Sequence, residues 1–229
     1  ADSRKYPASL TKIMTLYLAF EALEKGKLRM DQRLKASRRA AGQPASKLGL
    51  RKGERIRVDD AILALVTKSA NDVATVMAEA ISGSEVKFAR LMTKRARNLG
   101  MSRTTFRNAS GLPNRRQLST ARDMARLALA IRRDFPQYYA YFSKTSFNYR
   151  GRTYRNHNRL VGRVSGVDGL KTGYIRASGF NLVASANRGD DRLVGVVFGG
   201  RSARSRDRRM RTLLNNGFKK LRRGPGTGR

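Results

Sequence analysis

Residues 179–198 read GFNLVASANRGDDRLVGVVF, two runs rich in apolar and β-branched residues around the connection Arg188-Gly189-Asp190-Asp191. Such runs favour strands, and a short connection that contains Gly and Asp favours a hairpin. We therefore predict two antiparallel strands here. Apolar residues also alternate with polar ones around Arg150-Gly151, which predicts a second, shorter hairpin near residues 147–154.

Before residue 145 the apolar residues recur with helical spacing instead. Helices are predicted over 9–23, 59–66, 72–81, 84–99 and 119–133, and a closing helix over 205–218. A block of helices followed by a block of strands is typical of α+β proteins rather than of alternating βαβ units. The sequence therefore predicts an antiparallel sheet flanked by helices.

The composition excludes several kinds of site. The 229 residues contain no Cys and a single His, His157, so a thiolate metal site, a Cys nucleophile and a multi-histidine metal site are all excluded. No apolar run approaches the roughly 18 residues of a membrane span. The chain begins Ala1-Asp2-Ser3-Arg4, without Met or a secretory apolar segment, so we expect a processed or trimmed piece from which any targeting segment has been removed.

The charge is strongly positive. Lys and Arg number 50 against 16 Asp and Glu, a formal net charge of +34. Such a surface should bind polyanions weakly and in a salt-dependent way. The cations are spread along the whole chain, however, and accompany no zinc-finger, RNP or leucine-zipper pattern. A solvated basic surface is therefore favoured over a nucleic-acid-binding function.

Ser9 and Lys12 place a hydroxyl and an amine three residues apart at the start of the first predicted helix. At that spacing both side chains lie on one helix face, within reach of each other. A serine becomes a nucleophile when a base takes its proton, and a lysine can be that base once burial or a second cation lowers its pKa. A capping Ser followed by an exposed Lys is the alternative interpretation.

Two further motifs follow along the chain. Ser69 and Asn71 lie between two predicted helices, where they can relay a proton and hold a substrate amide, or simply cap the next helix. Lys171, Thr172 and Gly173 combine a charge, a hydroxyl and a residue without a side chain, which suits a carboxylate ligand that approaches the backbone closely. An exposed turn at the end of a strand is the alternative for this third motif.

In this order, Ser-x-x-Lys, Ser-x-Asn and Lys-Thr-Gly resemble the signature of penicillin-binding proteins and serine β-lactamases. Over residues 5–218 the chain resembles the low-molecular-mass D-alanyl-D-alanine carboxypeptidases, most clearly at 7–14, 68–72, 110–112, 119–124, 166–174 and 179–186. The resemblance implies one β-lactamase/transpeptidase-like catalytic domain over 1–218, with a mostly helical subdomain beside the sheet. Residues 219–229 are predicted to form a basic disordered tail.

The resemblance also implies a role for each motif residue. Ser9 would be the acylated nucleophile and Lys12 its general base. Ser69 would pass the proton to the leaving D-alanine amine, while Asn71 holds the substrate amide. Lys171 and Thr172 would lie near the substrate carboxylate, with Arg206 assisting, and Gly173 would let the ligand backbone approach closely. The backbone N–H groups of Ser9 and Tyr174 would form the oxyanion hole.

The implied activity is removal of the terminal D-alanine from peptidoglycan stem peptides, outside the cytoplasmic membrane. This activity belongs to peptidoglycan biosynthesis and to the maintenance of cell shape, in the periplasm or cell envelope. Penicillin and other β-lactams are implied as acylating ligands. No metal or organic cofactor is implied.

The chain departs from the family pattern in two places. Relatives have two strands and a short helix before the Ser-x-x-Lys helix, but only eight residues precede Ser9, so we expect those strands to be missing. The strand at 193–198 is then expected at an exposed sheet edge. His157 occupies the variable position of an Asn-x-Asn segment, where we expect it to line the site or to be a structural or surface residue.

Three alternative functions remain open at this stage. A class A β-lactamase shares the motifs but needs a glutamate for deacylation, and no Asp or Glu occurs between Glu85 and Asp123. The next candidates, Asp123 and Asp134, fall on a predicted helix or at its end. A D,D-endopeptidase would use the same chemistry on a longer substrate. A non-enzymatic polyanion-binding protein would require the three motifs to be coincidental.

Overall fold

Helices dominate the first two-thirds of the chain and strands the last third, as the spacing of apolar residues predicts. The computed structural model describes residues 1–222. In chain order the elements are a first 3₁₀-helix (Ala8–Thr11), α1 (Lys12–Glu24), β1 (Arg33–Lys35), α2 (Arg38–Ala41), β2 (Arg55–Arg57), α3 (Val58–Val66), α4 (Asn71–Ser82), α5 (Glu85–Asn98), α6 (Ala121–Asp134), a second 3₁₀-helix (Pro136–Ser143), β3 (Ser146–Tyr149), β4 (Arg152–Arg155), β5 (Val167–Ile175), β6 (Gly179–Arg188), β7 (Asp191–Gly200) and α7 (Ala203–Arg222).

The main sheet contains three antiparallel strands in the order β5-β6-β7. Side chains of a strand alternate between its two faces, and β6 uses both of them. Leu182, Ala184 and Ala186 pack with Met210, Leu214 and Phe218 of α7, whereas Val183 belongs to the larger core on the opposite face. The sheet therefore lies between α7 and the helical part of the chain.

Helix α1 is the centre of the larger core. Ten of its thirteen residues are buried, among them Ile13, Leu16 and Phe20, so it is enclosed on nearly all sides. Full burial of each such apolar side chain stabilises the fold by about 1.5–3 kcal/mol. This stabilisation holds Lys12, the first residue of α1, in the interior, where a lysine alone would be unfavourable.

The sequence did not predict every element. Strands β1 and β2 are three residues long and pair antiparallel, and α2 is a single turn with Ser37 as its N-cap. A third unpredicted element is the second 3₁₀-helix, which contains the aromatic cluster around Tyr139. These pieces are too short to show a clear period, so tertiary contacts define them.

The last helix, α7, extends beyond its predicted end at residue 218. Residues 219–229 were predicted to be disordered, but Lys219, Lys220, Leu221 and Arg222 form the last turn of α7, and the rest of that segment lies outside the described residues. Lys, Leu and Arg are good helix formers, and cations are favourable at a helix C-terminus. A low apolar content therefore did not prevent the helix from continuing.

Within residues 1–222, strand β7 pairs on one side only, with β6, and α7 covers one of its faces. The strand at 193–198 thus lies at a sheet edge in the part of the chain that the structure describes. None of the helices formed by residues 1–222 is both long enough and apolar enough to span a bilayer.

Candidate active site

Ser9 lies in the first 3₁₀-helix, and two glycines allow neighbouring backbone to approach it closely. A Cβ atom at Gly111 would lie 1.9 Å from the carbonyl oxygen of Ala8, and Gly111 has a φ of +90°. A Cβ atom at Gly173 on β5 would lie 3.0 Å from the backbone nitrogen of Ser9. Gly111 thus lets the Ser110–Leu112 segment pack on the backbone beside Ser9, where a Cβ atom would clash, and Gly173 lets strand β5 approach the same backbone closely.

Lys12 Nζ has three polar neighbours. It lies 3.1 Å from Ser9 Oγ, 2.8 Å from Asn71 Oδ1 and 2.6 Å from the carbonyl oxygen of Ser110. The side chain of Lys12 is fully buried. The structure thus brings together the hydroxyl and amine of the first motif with the amide of the second.

This set of neighbours suits a neutral lysine. Asn71 Oδ1 and the Ser110 carbonyl can only accept hydrogen bonds, so they occupy the two N–H groups of a neutral amine. The lone pair of the amine is then available to the Ser9 hydroxyl. Burial, followed by the positive charge of Lys171, holds the pKa of Lys12 well below its usual value, while the charge of Asp72 raises it in part.

The orientation of the Asn71 amide follows from its other contact. Asn71 Nδ2 donates to the carbonyl oxygen of Pro44 at 3.0 Å, which places Oδ1 towards Lys12. Ser69, the other residue of this motif, has a φ of +59°, a conformation that costs a non-glycine residue about 1–3 kcal/mol. Its Oγ is buried and has no hydrogen-bond partner within residues 1–222, so the hydroxyl is available to a ligand.

Lys171 lies in β5 and is almost completely buried, and within residues 1–222 its Nζ donates only to the Thr172 carbonyl oxygen, at 3.2 Å. Burial, followed by the charge of Arg206, lowers the pKa of Lys171 to about 7. The positive charge of Lys171 in turn lowers the pKa of Lys12.

A cavity of about 870 Å³ adjoins these residues. It is lined by Ser69, Thr172, Gly173, Tyr174 and Arg206. Ser9 does not line the cavity, but its backbone lies directly beside Gly173. Among the described residues no acidic side chain lines the cavity, whereas three exposed guanidinium groups do, those of Arg155, Arg159 and Arg163. Such a lining favours an anionic ligand.

Arg206, which the resemblance assigns to the substrate carboxylate, is buried beside this cavity. Its Nε and Nη2 donate to Asp207 Oδ1 at 2.9 and 2.8 Å. Within the described residues Nη1 has no protein acceptor, so one edge of the guanidinium can still bind a ligand. Arg201 and Arg204, its neighbours in sequence, are exposed and are not part of the lining.

His157 also lines the cavity, with its side chain exposed and its backbone N–H bonded to Thr67. Desolvation in the cleft lowers the pKa of His157, and nearby positive charges lower it further; these belong to Lys171, Lys68, Lys12 and Arg206. The imidazole is therefore neutral at pH 7. It has no side-chain hydrogen bond among residues 1–222.

Sequence reasoning did not identify two contributors to this site. Ser110 supplies a backbone carbonyl to Lys12, and Asp72 accepts four backbone hydrogen bonds directly behind Asn71. A backbone carbonyl leaves no signal in a single sequence. Asp72 is part of the Lys68–Asp72 stretch, but an Asp in the first turn of a helix is also explained by the helix dipole.

The chain is similar to proteins of one known family. Residues 1–202 match the family model described as D-alanyl-D-alanine carboxypeptidase. The D-alanyl-D-alanine carboxypeptidase DacC of Escherichia coli is 38% identical over 226 residues, covering 96% of this chain and 56% of that protein. The chain thus spans a little over half the length of the curated relatives it matches.

Two solved structures are similar over nearly the whole chain. Penicillin-binding protein 5 from Haemophilus influenzae has a TM-score of 0.91 and 35% identity, covering 95% of this chain and 65% of that one. Penicillin-binding protein D2 from Listeria monocytogenes, solved with cefotaxime bound, has a TM-score of 0.87 and 32% identity, covering 95% of this chain and 89% of that one. The predicted β-lactamase/transpeptidase-like α+β fold is confirmed.

Proposed function

Because the chain belongs to the D-alanyl-D-alanine carboxypeptidase family, we propose that it is a serine D,D-carboxypeptidase. Its substrate is a peptidoglycan stem peptide that ends in D-Ala-D-Ala, from which it removes the last residue. The observation that carries this proposal is the 3.1 Å approach of Lys12 Nζ to Ser9 Oγ, with Lys12 buried and its pKa depressed.

In the first step Ser9 Oγ attacks the carbonyl carbon of the penultimate D-alanine, and neutral Lys12 accepts the hydroxyl proton. Negative charge develops on the substrate carbonyl oxygen. By the family pattern, the backbone N–H groups of Ser9 and Tyr174 donate to that oxygen. Asn71 and the Ser110 carbonyl retain the two N–H groups of Lys12, so the lone pair stays directed at Ser9.

In the second step the C–N bond breaks and the leaving amine of the terminal D-alanine takes a proton. Ser69, whose Oγ is buried without a partner among the described residues, relays that proton from Lys12. The penultimate D-alanine remains as an ester on Ser9, which water then hydrolyses. The carboxylate of the departing residue is held by Lys171, Thr172 and Arg206, next to Gly173, at the electropositive cavity.

The test combines covalent labelling with product analysis. Intact mass is measured after incubation with benzylpenicillin, and release of free D-alanine is measured from a pentapeptide that ends in D-Ala-D-Ala. We expect one penicilloyl adduct and release of D-alanine. Absence of both from a folded protein would overturn the proposal.

The same assay separates the related activities. A D,D-endopeptidase would cleave a cross-linked dimeric peptide faster than the pentapeptide, because its site accepts a longer leaving group. A β-lactamase would turn over many equivalents of penicillin without accumulating an adduct. We expect slow deacylation, since no glutamate lines the cavity that the described residues form.

The place of action follows from the substrate. Stem peptides of peptidoglycan lie outside the cytoplasmic membrane, so we propose that the protein works in the periplasm or cell envelope after removal of a signal peptide. By trimming stem peptides it would act in peptidoglycan biosynthesis and in the control of cell shape. Fractionation of cells that produce the protein tests this location.

The basic surface supports a second, weaker interaction. The net charge is +34, and α7 exposes a series of cations; these are Arg204, Arg208, Arg209, Arg211, Lys219, Lys220 and Arg222. We propose non-specific polyanion binding, tested with an oligonucleotide at several salt concentrations. Affinity should fall by about 10³-fold or more between 50 and 200 mM salt if six or more phosphates are contacted. Sequence-specific binding that survives this range would contradict it.

A further inference from the structure

Residues 44–50, in the loop between α2 and β2, are held against the start of α4 by one buried carboxylate, that of Asp72. Asp72 Oδ2 accepts hydrogen bonds from the backbone nitrogens of Gly49 and Leu50, at 2.8 and 3.0 Å. Asp72 Oδ1 accepts from the backbone nitrogens of Leu48 and Val73, at 3.1 and 2.9 Å. Asp72 is completely buried and forms no ion pair within residues 1–222. All of its partners are donors, which suits an ionised carboxylate.

Three successive N–H groups around one anion form a nest, which requires unusual backbone angles. Gly49 supplies them, with a φ of +87° that residues with a Cβ atom rarely adopt. No atom lies within 4 Å of the position where a Cβ atom at Gly49 would be, so its conformation rather than crowding favours glycine here.

The other half of the loop contacts the second motif directly. The backbone nitrogen of Asn71 donates to the Ser46 carbonyl oxygen at 2.7 Å, and Ser46 Oγ donates to the Lys68 carbonyl oxygen at 2.8 Å. Asn71 Nδ2 donates to the Pro44 carbonyl oxygen, which directs Asn71 Oδ1 to Lys12. Ser46 also lines the cavity. The loop therefore determines how Asn71 faces the catalytic amine.

We propose that Asp72 is a positioning residue of the active site: its carboxylate fastens loop 44–50 to the start of α4 and thereby orients the Asn71 amide that holds Lys12. Asp72 contacts neither Ser9 nor the cavity, so it acts through Asn71. The inference rests on the proposed function, in which Lys12 is the base.

Asp72 has a second, electrostatic effect that makes the proposal testable. The charged groups that act on Lys12 are Lys171 from β5, which lowers its pKa, and Asp72 from α4, which raises it. His157, between β4 and β5, also faces Lys12 but is neutral at pH 7. Removing the charge of Asp72 should therefore lower the pKa of Lys12 further. In a plot of the penicillin acylation rate against pH, the acidic limb should then shift to lower pH.

The main variant is Asp72→Asn. An amide replaces one of two oxygens that each accept two hydrogen bonds, so two N–H donors would face an NH₂ group. We expect the plateau rate of penicillin acylation to fall about ten- to a hundredfold, because the base is misplaced. The acidic limb of the pH profile should shift to lower pH.

Two companion variants separate position from charge. Gly49→Ala strains the nest but keeps the carboxylate, so it should lower the plateau without moving the acidic limb. Asp123→Asn is the matched control, because Asp123 is another buried carboxylate that accepts from a backbone nitrogen, that of Arg103, and from Thr104 Oγ1. It should lower the melting temperature and leave the pH profile unchanged.

Hydrogen exchange in the unmodified protein provides a readout that needs no variant. The amides of Leu48, Gly49 and Leu50 should exchange as slowly as those within α4, although Gly49 lies at the surface. Exchange at the rate of a free loop would overturn the proposal. So would an Asp72→Asn protein with the unmodified pH profile, or an equal shift in Asp123→Asn. If the unmodified protein is not acylated at all, the proposed function fails and the exchange rates alone decide the role of Asp72.

Discussion

Lys12 Nζ donates to Asn71 Oδ1 at 2.8 Å across 59 positions of the chain. The contact joins the first residue of α1 to the first residue of α4, so the position of the Lys12 amine depends on how two helices pack. A lysine without these acceptors would be buried at a large cost in free energy. The proposed chemistry and the stability of the core therefore share one hydrogen-bond network.

Replacing the nucleophile should abolish covalent labelling. In Ser9→Ala no hydroxyl remains to form an ester, so intact mass after benzylpenicillin treatment should show no adduct. Ser202→Ala, at an exposed serine before α7, is the control and should label normally. An adduct that persisted in Ser9→Ala would assign the nucleophile to another residue.

Lys12→Arg should lose acylation although it keeps a positive charge. Arginine does not release its proton in proteins, whereas a buried lysine with a depressed pKa does. Loss of a general base typically costs about 10²–10⁴ in rate, measured here as the time course of adduct formation. Lys12→Met, which removes the amine without adding volume, should lose as much, and Lys94→Arg on the surface of α5 should lose nothing. Normal acylation of Lys12→Arg would leave Lys12 only an electrostatic role.

Gly111→Ala should destabilise the protein by a clash with the backbone of Ala8 and Ser9. The new Cβ atom would lie 1.9 Å from the Ala8 carbonyl oxygen, in a residue with a φ of +90°. We expect a loss of about 2–4 kcal/mol in the free energy of unfolding, measured by urea denaturation. Gly151→Ala is the control, because its φ is also positive but nothing lies within 4 Å of the new atom, so it should cost about 1 kcal/mol. Equal costs for the two variants would contradict the packing argument.

Stability should rise with pH between about 7 and 10 because of Lys171. Burial and then Arg206 lower its pKa in the folded protein from 10.5 to about 7. Between these values the unfolded chain binds a proton at this lysine that the folded chain does not bind. The free energy of unfolding therefore increases with pH, by up to about 1.4 kcal/mol per pH unit for one proton.

The control for this pH dependence is Lys171→Met, which removes the titrating group but keeps an apolar side chain of similar length. Urea denaturation at pH 7, 8 and 9 should show a shallower rise than in the unmodified protein. Lys12 contributes to the slope in the same direction, so the rise should not vanish. An unchanged slope in Lys171→Met would mean that Lys171 is charged in the folded state.

Much of the local structure could be predicted from the sequence, because short-range physics decides it. The spacing of apolar residues predicted α1, α4, α5 and α6, and the β-branched runs predicted the β6–β7 hairpin. The three motifs in their order indicated the family. Prediction failed for β1 and α2, because elements this short do not show a clear period of apolar residues. At Lys219–Arg222 the low apolar content was misleading, because the helix propensity of these residues extends α7.

By itself, the sequence determined which residue types are available: a serine and a lysine at helical spacing, a Ser-x-Asn segment, and a Lys-Thr-Gly segment. Only the tertiary structure decided that Lys12 is fully buried, that the Ser110 carbonyl occupies one of its N–H groups, and that Asp72 holds the loop behind Asn71. The physical reason is that the pKa of a lysine depends on desolvation and on charges brought close by packing. These contacts are between residues far apart in the chain, so no local sequence pattern encodes them.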